Sequence, residues 1–202
     1  MKLIDILRSM YKGINRLRLK NKDFSLISSN CNGMFILKDL NLPYKSPFVN
    51  LWLYPKDFIK FLWNMDYYLC QKLNFIEKEN IDYPVGMIGD IEIYFQHFKN
   101  KEDAEEKWYK RVKRINKENI FILMTDRDGC TKEDLLEFAN LPYKNKKVLT
   151  HIKHFDIESS IYVRGWEKEN SVGMCYEYRH SYSIKRIYDV FDYVQWFNRG
   201  LK

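Results

Sequence analysis

A cysteine sits in the small polar turn Ser28-Ser29-Asn30-Cys31-Asn32-Gly33, between the apolar run Phe24 to Ser28 and a helical pattern. In open α/β sheets ligands bind beyond the carboxyl ends of the strands, so reactive residues that end strand-like runs are the ones to compare. Three do so: Cys31, His97 after Ile91-Glu92-Ile93-Tyr94-Phe95, and Asp126 after Ile120 to Thr125. A thiol needs a base and the base needs an orienting carboxylate, which casts Cys31 as nucleophile, His97 as base and Asp126 as orienter. Amides at the start of the following helix would lower the thiol pKa and could form an oxyanion hole. Ser28, Ser29 and Asn30 would then contact substrate, and Gly33 would let the backbone approach it. The plain alternatives are a buried inert cysteine and a histidine bonded to Tyr94 or to a backbone carbonyl. His151 and His154 lie near another strand end and compete for the base role, while His180 sits in a polar stretch.

A second arrangement uses Asp126 and Asp128, whose spacing suits hard oxygen ligands holding a divalent metal against a nucleotide-sugar diphosphate, as in a glycosyltransferase. Helix capping near Thr131 accounts equally well for one of these acids. Asp90 adds a carboxylate, either a substrate contact or a turn aspartate, at the opposite end of its strand from His97. The run Lys107 to Arg114 mixes basic and aromatic residues. Glu106 and Lys110 form an i,i+4 pair suited to a solvated helix face, so no nucleic-acid partner is expected, and Arg111 and Arg114 become anion contacts if they border the crevice.

Hydrophobic period supplies the elements that must position these groups. A basic amphipathic helix fills 1–22, with Leu3, Ile6, Leu7, Met10, Tyr11, Ile14 and Leu17 at helical spacing. It reads as a helix packed on the body through that stripe with its basic face solvated, or as a peripheral membrane contact. Strands follow at Phe24 to Ser28, Phe48 to Leu53, Ile91 to Phe95, Ile120 to Thr125, Lys147 to Ile152 and Ser160 to Arg164. Between them run helices at Met34 to Leu40, Pro55 to about Leu73, from the Asn100 cap through Ile115, and from Thr131 to Leu141. Pro84 to Gly89 reads as a break and Arg186 to Phe197 as a closing helix. This alternation predicts a three-layer α/β/α sandwich with a mostly parallel sheet. It would be one domain: the N-terminal helix at 1–22, an α/β core at 23–165 and a helical extension at 166–202.

At 202 residues, with 46% hydrophobic residues, the chain can bury a core without staples. Cys31, Cys70, Cys130 and Cys175 include no Cys-x-x-Cys pair, which favours reduced thiols in the cytoplasm over a disulfide or structural metal. No apolar run approaches the roughly 20 residues of a membrane span. The net charge of +7 favours a phosphate-bearing partner such as a sugar nucleotide, or an anionic membrane surface. No cofactor is implied beyond the divalent metal of the glycosyltransferase alternative.

Several segments carry a family resemblance. Ile27 to Gly33, Leu42-Pro43-Tyr44-Lys45-Ser46-Pro47-Phe48-Val49, Tyr83-Pro84-Val85-Gly86, Gly89-Asp90-Ile91-Glu92-Ile93, His97-Phe98 and Lys107-Trp108 through Arg111, Arg114, Ile115 and Asn116 occur in that order. Over about residues 22–165 the chain resembles bacterial exopolysaccharide biosynthesis proteins of capsule and lipopolysaccharide gene clusters. The resemblance implies an α/β fold and a part in surface-polysaccharide assembly, with a polysaccharide intermediate or sugar nucleotide as partner, and carries no catalytic residues with it. Ser29-Asn30-Cys31, His97 and the Arg111 to Arg114 helix are also similar in order to papain-like cysteine peptidases. A nucleophile turn after the first strand is similar to esterase-like carbohydrate acyltransferases, whose Gly-Asp-Ser signature is absent. The expectation is a sugar- or acyl-transferring enzyme using Cys31, with a non-catalytic assembly factor at the membrane as the alternative.

Overall fold

The structure is a computed structural model that describes residues 3–174, 176–180 and 182–200. Its elements in chain order are α1 (Leu3–Arg18), β1 (Ser25–Ser28), α2 (Asn32–Leu40), α3 (Pro55–Trp63), α4 (Met65–Cys70), β2 (Leu73–Ile76) and β3 (Val85–Ile88). There follow β4 (Ile91–Tyr94), α5 (Lys101–Val112), β5 (Ile120–Thr125), α6 (Lys132–Asn140), β6 (Lys146–Thr150), β7 (Ser160–Tyr162), a 3-10 turn (Ile187–Val190) and α7 (Tyr193–Asn198). Cys175 and the first two residues of the expected N-terminal helix lie outside the described residues.

The α/β fold is as the alternation predicts. A parallel sheet runs in the order β1-β5-β6-β7. Because side chains alternate along a strand, β5 serves two cores at once. Phe121 and Leu123 join Leu26, Leu149, Tyr188 and Phe197 on one face, and Ile122 and Met124 join Ile27, Val148, Phe58 and Trp108 on the other. Burial on both faces explains why Ile120 to Thr125 reads as an unbroken apolar run. All the parallel strands end at one edge, so Ser29 after β1, Asp126 after β5 and His151 after β6 are neighbours.

Where the local pattern misleads, a second sheet is the reason. Ile91–Tyr94 does not join the parallel sheet but closes the antiparallel order β2-β3-β4. The expected break at Pro84 to Gly89 holds β3, where a Cβ on Gly86 would lie 2.6 Å from Leu73 Cδ1 and 2.9 Å from Phe95 Cε2. Glycine is there for close packing. Phe48 to Leu53 is not a strand; it pairs only through Trp52, which exchanges backbone hydrogen bonds of 3.0 Å with Tyr94. The same segment donates Leu53 N–H to Ser29 O (3.1 Å) and accepts at Asn50 O from His97 N–H (3.4 Å). It thus staples the second sheet to the end of β1.

The expected helix from Pro55 to Leu73 breaks at Asn64, and the closing helix divides into the 3-10 turn and α7. The α5 and α6 starts follow their sequence caps, with Asn100 accepting from Asp103 N–H (2.8 Å) and Thr131 from Asp134 N–H (3.2 Å). α1 corrects the reading of a helix packed through its apolar stripe. Arg8 and Asn15 face the body, while Leu3, Ile6, Leu7, Met10, Ile14 and Leu17 face outward.

Candidate functional site

A cleft of about 480 Å³ opens at the carboxyl edge of the parallel sheet. The turn after β1 and the first turns of α2 supply Asn30, Cys31, Asn32 and Phe35, and the loop after β5 supplies Arg127 and Asp128. The stapling segment supplies Trp52, the chain flanking β3 and β4 supplies Tyr83, Gln96 and His97, and the C-terminal segment supplies Met174 and Tyr176. Cys31 and His97 therefore line one cleft, although their strands belong to different sheets.

The turn is built from side chains that cap its own backbone. Asn30 Oδ1 accepts from Asn32 N–H (3.2 Å) while its Nδ2 donates to Thr125 Oγ1 (2.7 Å), tying β1 to β5. Ser28 is buried and accepts from Gly33 N–H (3.3 Å). Ser29 is buried too, engaged through its backbone with Leu123 O and Leu53 N–H. A Cβ on Gly33 would lie 2.8 Å from Ser28 Cβ and 3.3 Å from Leu26 Cδ2, so this glycine seats α2 on β1 rather than admitting substrate. Of the expected contacts in this turn, Asn30 lines the cleft, whereas Ser28, Ser29 and Gly33 build the wall behind it.

Asp126 departs most from expectation. Its Oδ2 accepts from both the backbone N–H (2.6 Å) and the Nδ1 (2.5 Å) of His151, and its Oδ1 accepts from Val172 N–H (2.8 Å). Both oxygens are occupied and the residue is buried, so the orienting carboxylate serves His151 and not His97. The reason is strand order: β6, not β4, lies beside β5. The same bonds turn Asp126 away from the metal arrangement with Asp128. Among the described residues no group of three or more His, Cys, Asp or Glu side chains is placed to hold a metal ion.

Asp128 lines the cleft in a left-handed conformation (φ 59°). Its surface is exposed, yet desolvation raises its carboxyl pKa against the lowering influence of Arg127. Arg127 Nη1 donates to Val172 O (3.3 Å), which holds the C-terminal segment beside the cleft.

Three further expected contacts lie elsewhere. Asp90 sits in the exposed turn between β3 and β4, ion-paired with Lys60 and accepting from the Tyr68 hydroxyl (2.9 Å). It is a turn aspartate. Arg111 donates to Val49 O (3.1 Å) with its guanidinium 5.7 Å from the centroids of Tyr44 and Phe98, bracing the stapling segment. Arg114 is exposed and outside the cleft lining.

Burial decides the state of Cys31. The helix start was expected to lower its pKa; desolvation instead pushes the thiol up to about 11. Burial likewise pushes Cys130 up to about 12, helped by Asp134, Asp126 and Asp128. At neutral pH Cys31 is a protonated thiol, and a proton acceptor must act before it can attack. Alkylation of the Cys31 peptide by iodoacetamide, followed by mass spectrometry, is expected to be slow at pH 8 and to rise through about pH 11. A midpoint below the ordinary thiol value would contradict this.

Sequence reasoning passed over Asn32, Trp52, Tyr83, Gln96 and Arg127. Asn32 is the most telling: it is 4% exposed, lines the cleft, and its Nδ2 has no hydrogen-bond partner. Its place one residue after Cys31 was the available signal. The aromatic residues carry none, because long-range pairing through the segment from Asn50 to Leu53 brings them to the edge.

Comparison with known proteins gives kinship. A Haemophilus influenzae protein described as an uncharacterized protein is 47% identical over 183 residues, covering 91% of this chain and 88% of its own. The family described as Domain of unknown function (DUF1919) matches residues 4–198, which take in the whole strand-end cleft, and the chain belongs to that family.

Proposed function

We propose that this protein acts in the assembly of bacterial surface polysaccharide, binding a sugar nucleotide or polysaccharide intermediate in the strand-end cleft and transferring a glycosyl or acyl group there. The orphaned Nδ2 of Asn32 carries the reading. A buried donor without an acceptor costs stability unless a ligand completes it, and a sugar hydroxyl is a fitting acceptor. The rest of the lining suits the same class of ligand. Trp52, Tyr83 and Phe35 offer ring faces, Asn30 and Gln96 offer amides, and Arg127 offers a cation for a phosphate or carboxylate.

In the acyl-transfer form, His97 takes the Cys31 proton, the thiolate attacks an acyl carbonyl, and the leaving group departs with the proton held by His97. A sugar hydroxyl then attacks the thioester, releasing the thiol. The resemblance to exopolysaccharide biosynthesis proteins supports the pathway. The outward apolar face of α1 supports a place at the inner membrane face, since no described helix is long and apolar enough to cross a membrane.

The test is the chemical structure of the surface glycan from strains with and without the gene. A missing acyl group or a missing sugar is expected, restored by the wild-type gene and not by Cys31→Ala. An unchanged glycan would overturn the reading.

A further inference from the structure

α1 carries its apolar stripe on the outside. Leu3, Ile6, Leu7, Met10, Ile14 and Leu17 recur at i, i+3 and i, i+4 spacing, and their exposures run from 39% at Ile6 to 88% at Leu17. Side chains at that spacing share one face, here about 21 Å long. Contiguous apolar patches of this extent mark interaction sites.

The rotation of the helix is fixed from the other side. Arg8, 3% exposed, forms ion pairs with Asp39 and Asp189 and donates to Ile184 O (3.0 Å) and the Tyr188 hydroxyl (2.8 Å). Asn15 Nδ2 donates to the Tyr193 hydroxyl (3.2 Å), and Arg16 Nε donates to Asp39 O (2.8 Å). Rolling the helix to hide its leucines would pull Arg8 away from buried carboxylates. The exposed stripe is therefore a consequence of the best-bonded contact that α1 makes.

We infer that this stripe docks on the surface of an anionic lipid bilayer, with α1 lying in the plane of the interface. The inference rests on the membrane-side placement above and sharpens it, while standing apart from the cleft chemistry. Charge complementarity selects the occupant. By helical period Arg18, which pairs with Asp192, borders the stripe on one side beside Tyr11, over whose ring Lys185 sits at 5.8 Å, and Lys20 follows the end of α1. These three cations are exposed. The acids of the region point elsewhere: Asp5 falls on the far side of the helix by the same period, Asp39 and Asp189 are buried under Arg8, and Asp192 is bound to Arg18. Aliphatic side chains beside exposed cations match an acyl layer beneath anionic headgroups.

Full-length protein is sedimented with phosphatidylcholine vesicles, with and without phosphatidylglycerol. Binding is expected only with phosphatidylglycerol, weakened by salt, and more than about tenfold weaker for the Leu7→Glu, Ile14→Glu double variant. Both positions are exposed, so that variant should keep the wild-type unfolding curve; Arg127→Ala should bind vesicles like the wild type. Absence of wild-type binding, or full binding by the double variant, would overturn the inference. So would a wild-type dimer in sedimentation equilibrium that the double variant reduces to monomer, with no vesicle binding by either. Vesicle binding by a protein whose deletion leaves the glycan unchanged would keep this inference and remove the polysaccharide role; a changed glycan without vesicle binding would do the reverse.

Discussion

Replacing Arg8 by alanine is expected to destabilise the protein by about 3–5 kcal/mol at neutral pH, because two buried carboxylates lose the cation between them. The melting temperature should fall on the order of 10 °C. Asp39 and Asp189 share the guanidinium but titrate in opposite directions. For Asp39, burial pushes the carboxyl up, yet hydrogen bonds from Lys12 and Tyr188 and the charge of Arg8 hold it below its ordinary value. For Asp189, burial wins over Arg8 and the carboxyl is raised.

The sign of the pH dependence follows. In the wild type, Asp39 contributes stability above the ordinary carboxyl pKa of about 3.9, and that contribution is lost as pH falls through the lowered folded value. Without Arg8 both carboxyls rise, so the folded variant binds protons that the unfolded chain releases. Its deficit should shrink as pH falls from neutrality toward the ordinary carboxyl value. Urea unfolding of both proteins at several pH values checks this, and a deficit that grows on acidification would contradict it.

Arg8 also shows what sequence could not supply. The periodicity of α1 is plain, but periodicity says only that a helix has two faces. Which one turns inward depends on Asp39 and on Asp189, Tyr188 and Tyr193, far along the chain. The strand-end turn at Cys31 was legible because its cues are local: an apolar run, small polar residues and a helix start. The parallel strands were legible for the same reason, as were the Asn100 and Thr131 caps.

Partnership among site residues was not legible, because it is set by strand order. Asp126 meets His151 since β6 lies beside β5, and His97 reaches the cleft only because the segment from Asn50 to Leu53 staples a second sheet to β1. That second sheet was itself hidden by Pro84 and Gly86, which look like punctuation until the packing of Leu73 and Phe95 against Gly86 is seen.

Asn32→Leu is expected to separate function from stability more sharply than any other change. Leucine keeps the branching of asparagine at Cγ, is larger, and removes a buried donor that has no partner. Removing the unsatisfied donor, worth about 1–3 kcal/mol, offsets a similar cost of the added volume, so the fold should hold, whereas a ligand hydroxyl that used the donor loses it. Such a loss weakens binding by about ten- to a hundredfold, and removing Arg127 as well takes away the cation offered to an anionic group.

The central claim is that the strand-end cleft is where this protein works on a sugar. Its most direct test is the surface glycan made by a deletion strain carrying the Asn32→Leu, Arg127→Ala protein, with folded protein confirmed by its unfolding curve. The account predicts the glycan of the deletion strain; a wild-type glycan from that strain would contradict it.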